Sequence, residues 1–145
     1  PGECHVHAGI RAEDINKMMK EYRNAEFLVH PECSCTSSTM YHMAKGDLIN
    51  EGHILSTEGM MERAKNSSKN DFIVATETGI LYRMQKENPT KNFIPIRQDA
   101  VCQYMKKITI DKVYNSLLNN VYQVSVPKST ADKARYAIER MLSIG

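Results

Sequence analysis

Four short apolar runs divide the chain up to Cys102, and they limit its fold more than any other feature. They are Phe27-Leu28-Val29, His53-Ile54-Leu55, Phe72-Ile73-Val74-Ala75 and Phe93-Ile94-Pro95-Ile96, each separated from the next by a segment long enough for a helix. Short continuous apolar runs of this kind read as strands buried on both faces, and parallel neighbours require a crossover, usually a helix. The intervening segments supply helical spacing: Ile15, Met18, Met19 and Tyr22 first, a stretch from Gly59 later, then Ile80, Leu81 and Met84 before Asn88-Pro89 stops the pattern. The expected fold is therefore α/β, a three-layer α/β/α sandwich around a four-stranded parallel sheet.

Beyond Cys102 the pattern changes. Val113, Leu117 and Leu118 predict a helix, 121–126 alternates like a strand, and 128–142 is a periodic closing helix with Ser129 as its N-cap. The chain opens on Pro-Gly-Glu-Cys-His-Val-His with no leading methionine, so Pro1 reads as a cut within a longer protein. The 19 basic and 17 acidic residues are interspersed and form no basic stripe. Nucleic acid is thus not an expected partner. No apolar run approaches the ~20 residues of a membrane span, and no signal peptide is legible, so the expected location is cytoplasmic.

Ligands of open parallel sheets sit off the carboxyl ends of the strands. Here those ends carry His30-Pro31-Glu32-Cys33, Ser56-Thr57, Thr76-Glu77 and Asp99-Ala100-Val101-Cys102. His30 and Glu32 flank a proline, and strand alternation would send both side chains to one side, where a carboxylate and an imidazole can share acid-base work. The competing reading makes His30 a backbone cap and Glu32 a helix start. Ser56 and Thr57 offer hydroxyls beside a helix N-terminus, as an anion site, a plain N-cap, or both.

Four cysteines occur: Cys4, Cys33, Cys35 and Cys102. Cys4 and Cys102 are separated by about the length of one four-strand unit and fit equivalent points of successive repeats, as ligands to a shared site or as small buried hydrophobes. Cys4 with His5 and His7, and His30 with Cys33 and Cys35, form local groups, but neither has the spacing of a structural zinc site.

Several segments together resemble the quinolinate synthase family. They are Gly2-Glu3-Cys4-His5-Val6-His7, Val29-His30-Pro31-Glu32-Cys33, Ser56-Thr57-Glu58-Gly59-Met60, the run from Phe72 to Ile80, Lys86-Glu87-Asn88-Pro89, and Asp99-Ala100-Val101-Cys102 with the run from Tyr104 to Thr109. The resemblance implies one of three α/β/α domains arranged about a pseudo-threefold axis, each giving one cysteine to a four-iron four-sulfur cluster. On this reading 1–10 ends the second domain, 11–102 is the third, and 103–145 is a C-terminal tail of helix, strand and helix. Cys4 and Cys102 become metal ligands, and the third ligand lies outside this segment.

The activity the resemblance implies is condensation of iminoaspartate with dihydroxyacetone phosphate and dehydration to quinolinate, in NAD biosynthesis. His30 and Glu32 become catalytic candidates, and His30, Pro31, Glu32, Ser56 and Thr57 substrate-binding ones. Functional coupling to an aspartate-oxidising enzyme is a further expectation, and the segment alone is expected to be inactive. Cys33, Cys35 and the insertion near Gly46 depart from the family pattern and are expected to be neither cluster ligands nor part of the pocket. The alternative is a small α/β metal- or phosphate-binding module without catalysis.

Overall fold

The computed structural model describes residues 4–33, 36–46 and 51–144. They divide into two compact units, one ending at Gln103 and the other beginning at Tyr104.

The first unit opens with a single helical turn, α1 (His5–Ala8), and then α2 (Ala12–Glu21) leads to β1 (Glu26–Val29). Three crossovers follow: α3 (Thr36–Lys45) to β2 (Gly52–Ile54), α4 (Thr57–Asn66) to β3 (Asp71–Ala75), and α5 (Ile80–Glu87) to β4 (Asn92–Pro95). The four strands form one sheet in the order β2-β1-β3-β4. Every pairing is parallel.

Alternation along the strands divides the core between two faces. Phe27, Val29, Ile73 and Ala75 pack with Ile15 and Met19 of α2. Leu28, Phe72 and Val74 pack instead with Met60, Met61 and Ala64 of α4 and Met84 of α5. A sheet buried on both faces is the reason β1 and β3 read as unbroken apolar runs. The expected α/β/α sandwich with a four-stranded parallel sheet is the architecture found. All four strands begin one residue earlier than the apolar runs place them, and β2 and β4 also end one residue earlier.

The amino edge of the sheet carries a charged cluster. Glu26, almost fully buried, accepts hydrogen bonds from Arg63 Nε at 2.8 Å and Nη2 at 3.1 Å and from the Ser67 hydroxyl. Burial pushes the Glu26 carboxyl up, but Arg63, Ser67 and His53 outweigh it and hold it below the usual carboxylate range. The cluster ties the end of α4 to the starts of β1 and β2.

The second unit comprises a 3₁₀ turn (Met105–Lys107), α6 (Ile110–Asn119) and α7 (Lys128–Leu142). Two sequence expectations differ here. Residues 121–127 form no strand, because alternation yields one only where a neighbour completes the ladder, and Tyr122 adopts a positive φ of 65°. Ser129 lies inside α7: the N-cap position is Pro127, whose carbonyl accepts from the N–H groups of Thr130 and Ala131. No helix among the described residues is long and apolar enough to cross a membrane.

Candidate active site

Strand order places the reversal of winding between β1 and β3, and in open α/β sheets the crevice off the carboxyl ends at that reversal is where ligands bind. β1 delivers His30 and Glu32 there, and β3 delivers Thr76 and Glu77. α1, from the start of the chain, adds His7.

His7 is buried, and its Nε2 is hydrogen-bonded to Thr76 Oγ1 at 3.0 Å. Its ring stacks on His30 with centroids 4.6 Å apart and an interplanar angle of 13°. Nδ1 of His7 lies 3.9 Å from a Glu32 carboxylate oxygen. One ligand atom from each of His7, His30 and Glu32 falls within 4.8 Å of the others. Burial first, then neighbouring His30, push the His7 imidazole below its ordinary pKa, with Glu32 opposing them. A neutral imidazole at pH 7 is the consequence.

His30 and Glu32 do meet on one side, but a turn brings them together and not the pleat of a strand: His30, Pro31 and Glu32 all lie past the end of β1. His30 Nδ1 accepts the backbone N–H of Glu32 at 3.3 Å, and the His30 carbonyl accepts the Thr36 hydroxyl at 2.9 Å. Glu32 and Pro31 are exposed, so the carboxylate faces open space while the two rings behind it are fixed.

Ser56 is the N-cap of α4, its Oγ accepting the N–H of Gly59 at 3.2 Å, and Thr57 is the first helical residue. Both are exposed at the end of β2, the neighbour of β1 in the sheet. The capping and anion-binding readings remain compatible, because an N-cap satisfies one N–H and leaves others at the helix start.

The cysteines separate into two kinds. Cys33 is buried and disulfide-bonded, and so offers no thiolate; Cys35 lies outside the described residues. Cys4 and Cys102 are free thiols. Although they stand at opposite ends of the first unit's sequence, they share one apolar cluster: Val6, Ala100 and Cys102 form it, and Cys4 packs against it. A cleft of about 190 Å³ beside this cluster is lined by His5 and Val6 of α1 and by Asp99, Ala100 and Val101.

Glu77 joins the thiol region to the histidine region. Its carboxylate accepts the backbone N–H of Cys102 at 3.2 Å and that of Gly79 at 2.6 Å. The adjacent Thr78 N–H donates to the Ala100 carbonyl at 2.9 Å. His7, Thr76 and Glu77 are the members that sequence reasoning gave no role. The residue types at the strand end were the available signal for Thr76 and Glu77. For His7 the signal was weaker, a histidine three positions after a cysteine.

The family model described as quinolinate synthetase A protein matches residues 1–143. A quinolinate synthase of Thermus thermophilus is 49% identical over 145 residues, covering 100% of this chain and 45% of the relative. One from Pyrobaculum aerophilum is 49% identical over 140 residues, covering 97% and 45%, and quinolinate synthase 2 of Methanosarcina acetivorans is 40% identical over 144, covering 99% and 43%. The chain thus spans less than half the length of the curated relatives it matches. With a match over nearly its whole length, the chain belongs to the quinolinate synthetase A protein family.

Proposed function

We propose that this chain is the part of a quinolinate synthase that carries two of three cluster cysteines and the acid-base residues of the reaction. The whole enzyme condenses iminoaspartate with dihydroxyacetone phosphate and dehydrates the product to quinolinate for NAD biosynthesis. The observation that carries the reading is the convergence of Cys4 and Cys102, both free, on one apolar cluster in a unit whose other described cysteine is disulfide-bonded. Such a donor pair fits a four-iron four-sulfur cluster, with the third thiolate supplied from outside this segment.

When bound, that cluster supplies Lewis-acid polarisation of a substrate hydroxyl or carboxylate oxygen without net redox change. The chain's own residues move the protons. Glu32, exposed to the crevice, takes a proton during enolisation and returns it as water leaves. His7, kept neutral, holds a proton on one ring nitrogen and accepts at the other, with Thr76 fixing the ring through Nε2. His30 supports that ring by stacking and anchors the Glu32 turn through Nδ1. Pro31 shapes the turn, and Ser56 and Thr57 bind a substrate oxyanion at the head of α4.

Iminoaspartate is what two-electron oxidation of aspartate yields, so an aspartate-oxidising enzyme is the natural supplier, and both are placed in the cytoplasm. The test is anaerobic reconstitution of the full-length protein, followed by iron and sulfide quantitation and a quinolinate assay with both substrates. Iron, sulfide and quinolinate are expected together, and Cys4→Ser and Cys102→Ser should each lower all three. Zinc, or no metal, in an otherwise folded protein would overturn the reading.

A further inference from the structure

The Glu77 carboxyl group is buried, and its two oxygens accept two backbone N–H groups. One belongs to Cys102. The other belongs to Gly79, the N-cap position of α5. The loop from β4 to Cys102 is irregular, and a thiol on such a loop is held only as well as its backbone is. Among the described residues the loop is also tied by the Thr78 N–H to the Ala100 carbonyl and by Arg97, which chelates Asp99 at 2.8 and 2.6 Å and pairs with Asp14 of α2 at 3.7 Å, but neither of these bonds is made to Cys102 itself.

We infer that Glu77 is the positioning residue for Cys102: its two carboxylate oxygens clamp the Cys102 backbone to the rigid start of α5 and so fix where the thiolate is presented. The inference rests on the reading of Cys102 as a cluster ligand. A carboxylate is suited to this because it accepts two N–H bonds at once, through separate oxygens. Glutamine has a single acceptor oxygen and keeps the size, so Glu77→Gln removes half of the clamp without opening a cavity. A carboxylate bonded to a ligand's own backbone also excludes that N–H from bonding to a cluster sulfur, which bears on the electronic character of the site.

The experiment uses the full-length protein, anaerobically reconstituted with iron and sulfide, as wild type, Glu77→Gln, Cys102→Ser and the exposed control Glu87→Gln. Three quantities are measured: the rate of iron loss to a ferrous chelator, the electron paramagnetic resonance spectrum of the reduced cluster, and thermal unfolding of the metal-free protein. Partners that orient a metal ligand are typically worth about 10- to 100-fold in metal affinity. Glu77→Gln should therefore load a cluster but lose iron at least about tenfold faster than wild type, with an altered spectrum. Glu87→Gln should match wild type.

If Cys102→Ser loses iron while Glu77→Gln matches wild type in rate and spectrum, the positioning role is refuted and the cluster reading stands. A Glu77→Gln protein that melts earlier with rate and spectrum unchanged also refutes it, reducing Glu77 to a cap of α5. Wild-type iron retention in Cys102→Ser overturns the cluster reading and the inference together.

Discussion

Replacing Thr76 with valine separates what the His7 hydrogen bond does for stability from what it does for chemistry. Thr76 is 4% exposed, and its hydroxyl lies 3.0 Å from His7 Nε2. Valine keeps the shape and exchanges the hydroxyl for a methyl group. A buried hydrogen bond is worth about 0.5–1.5 kcal/mol net, and depriving a buried polar atom of its partner costs about 1–3 kcal/mol. The added methyl offsets part of this, leaving about 1–2 kcal/mol. For a unit of this size that corresponds to a fall of roughly 5–15 °C in Tm.

Thr76→Ser provides the contrast, since it keeps the hydroxyl and deletes a buried methyl worth about 0.8 kcal/mol before any cavity term. The two variants should therefore look alike in thermal or urea unfolding. They should part in turnover of the full-length enzyme. Serine keeps His7 oriented and stays within a few-fold of wild type, whereas valine falls by about 100-fold or more, the usual cost of a lost general acid or base. Equal turnover in the two variants would show that the His7–Thr76 bond is structural only.

Glu32→Gln should lower turnover by about 100- to 10,000-fold with iron content and Tm unchanged, because its carboxylate is 72% exposed and supports no core. His7 predicts a pH slope in stability: its pKa is lowered from 6.5 in the folded state, so the unfolded chain binds more protons just below that pH. Stability is full above about pH 6.5 and declines as pH falls through the folded pKa, and His7→Asn should flatten that part of a urea-midpoint profile. Arg63→Met strips two bonds from buried Glu26 while Ser67 and His53 remain, and should cost about 2–3 kcal/mol in urea unfolding, less than the 3–5 of a fully enclosed pair because Arg63 is a third exposed. Glu26→Gln, which leaves no charge behind, should cost less than Arg63→Met.

The sheet was legible because β1 and β3 are buried on both faces, so burial is written into consecutive residues. α3 shows the opposite. Its apolar Met40, Tyr41 and Met43 are exposed, while its fully buried position is Thr39, so its sequence misstates its inward face. The tail misled for a related reason, since alternation over 121–126 specifies a strand only when a partner exists. His30 and Glu32 do lie together, although a turn and not the strand pleat joins them. His7 was only faintly legible in the sequence: it sits on a four-residue helix with no periodicity, and its contact with Thr76 spans 69 residues.

Thr76 and Glu77 show why core and site cannot be separated in this unit. The two are consecutive at the end of β3, and one holds His7 while the other holds Cys102. A slip of one residue along β3 would carry one of the two into the other's place and spoil both contacts. What forbids the slip is the core itself, because Phe72 and Val74 serve one face and Ile73 and Ala75 the other, and a shifted register would send each set to the wrong helices. The pairings of β3 with both neighbours fix the same register, Ile73 lying opposite Phe27 and Ile94. Apolar packing on two faces thus sets which polar residue reaches the histidine and which reaches the thiol. The chemistry off the carboxyl edge inherits its precision from the layer beneath it.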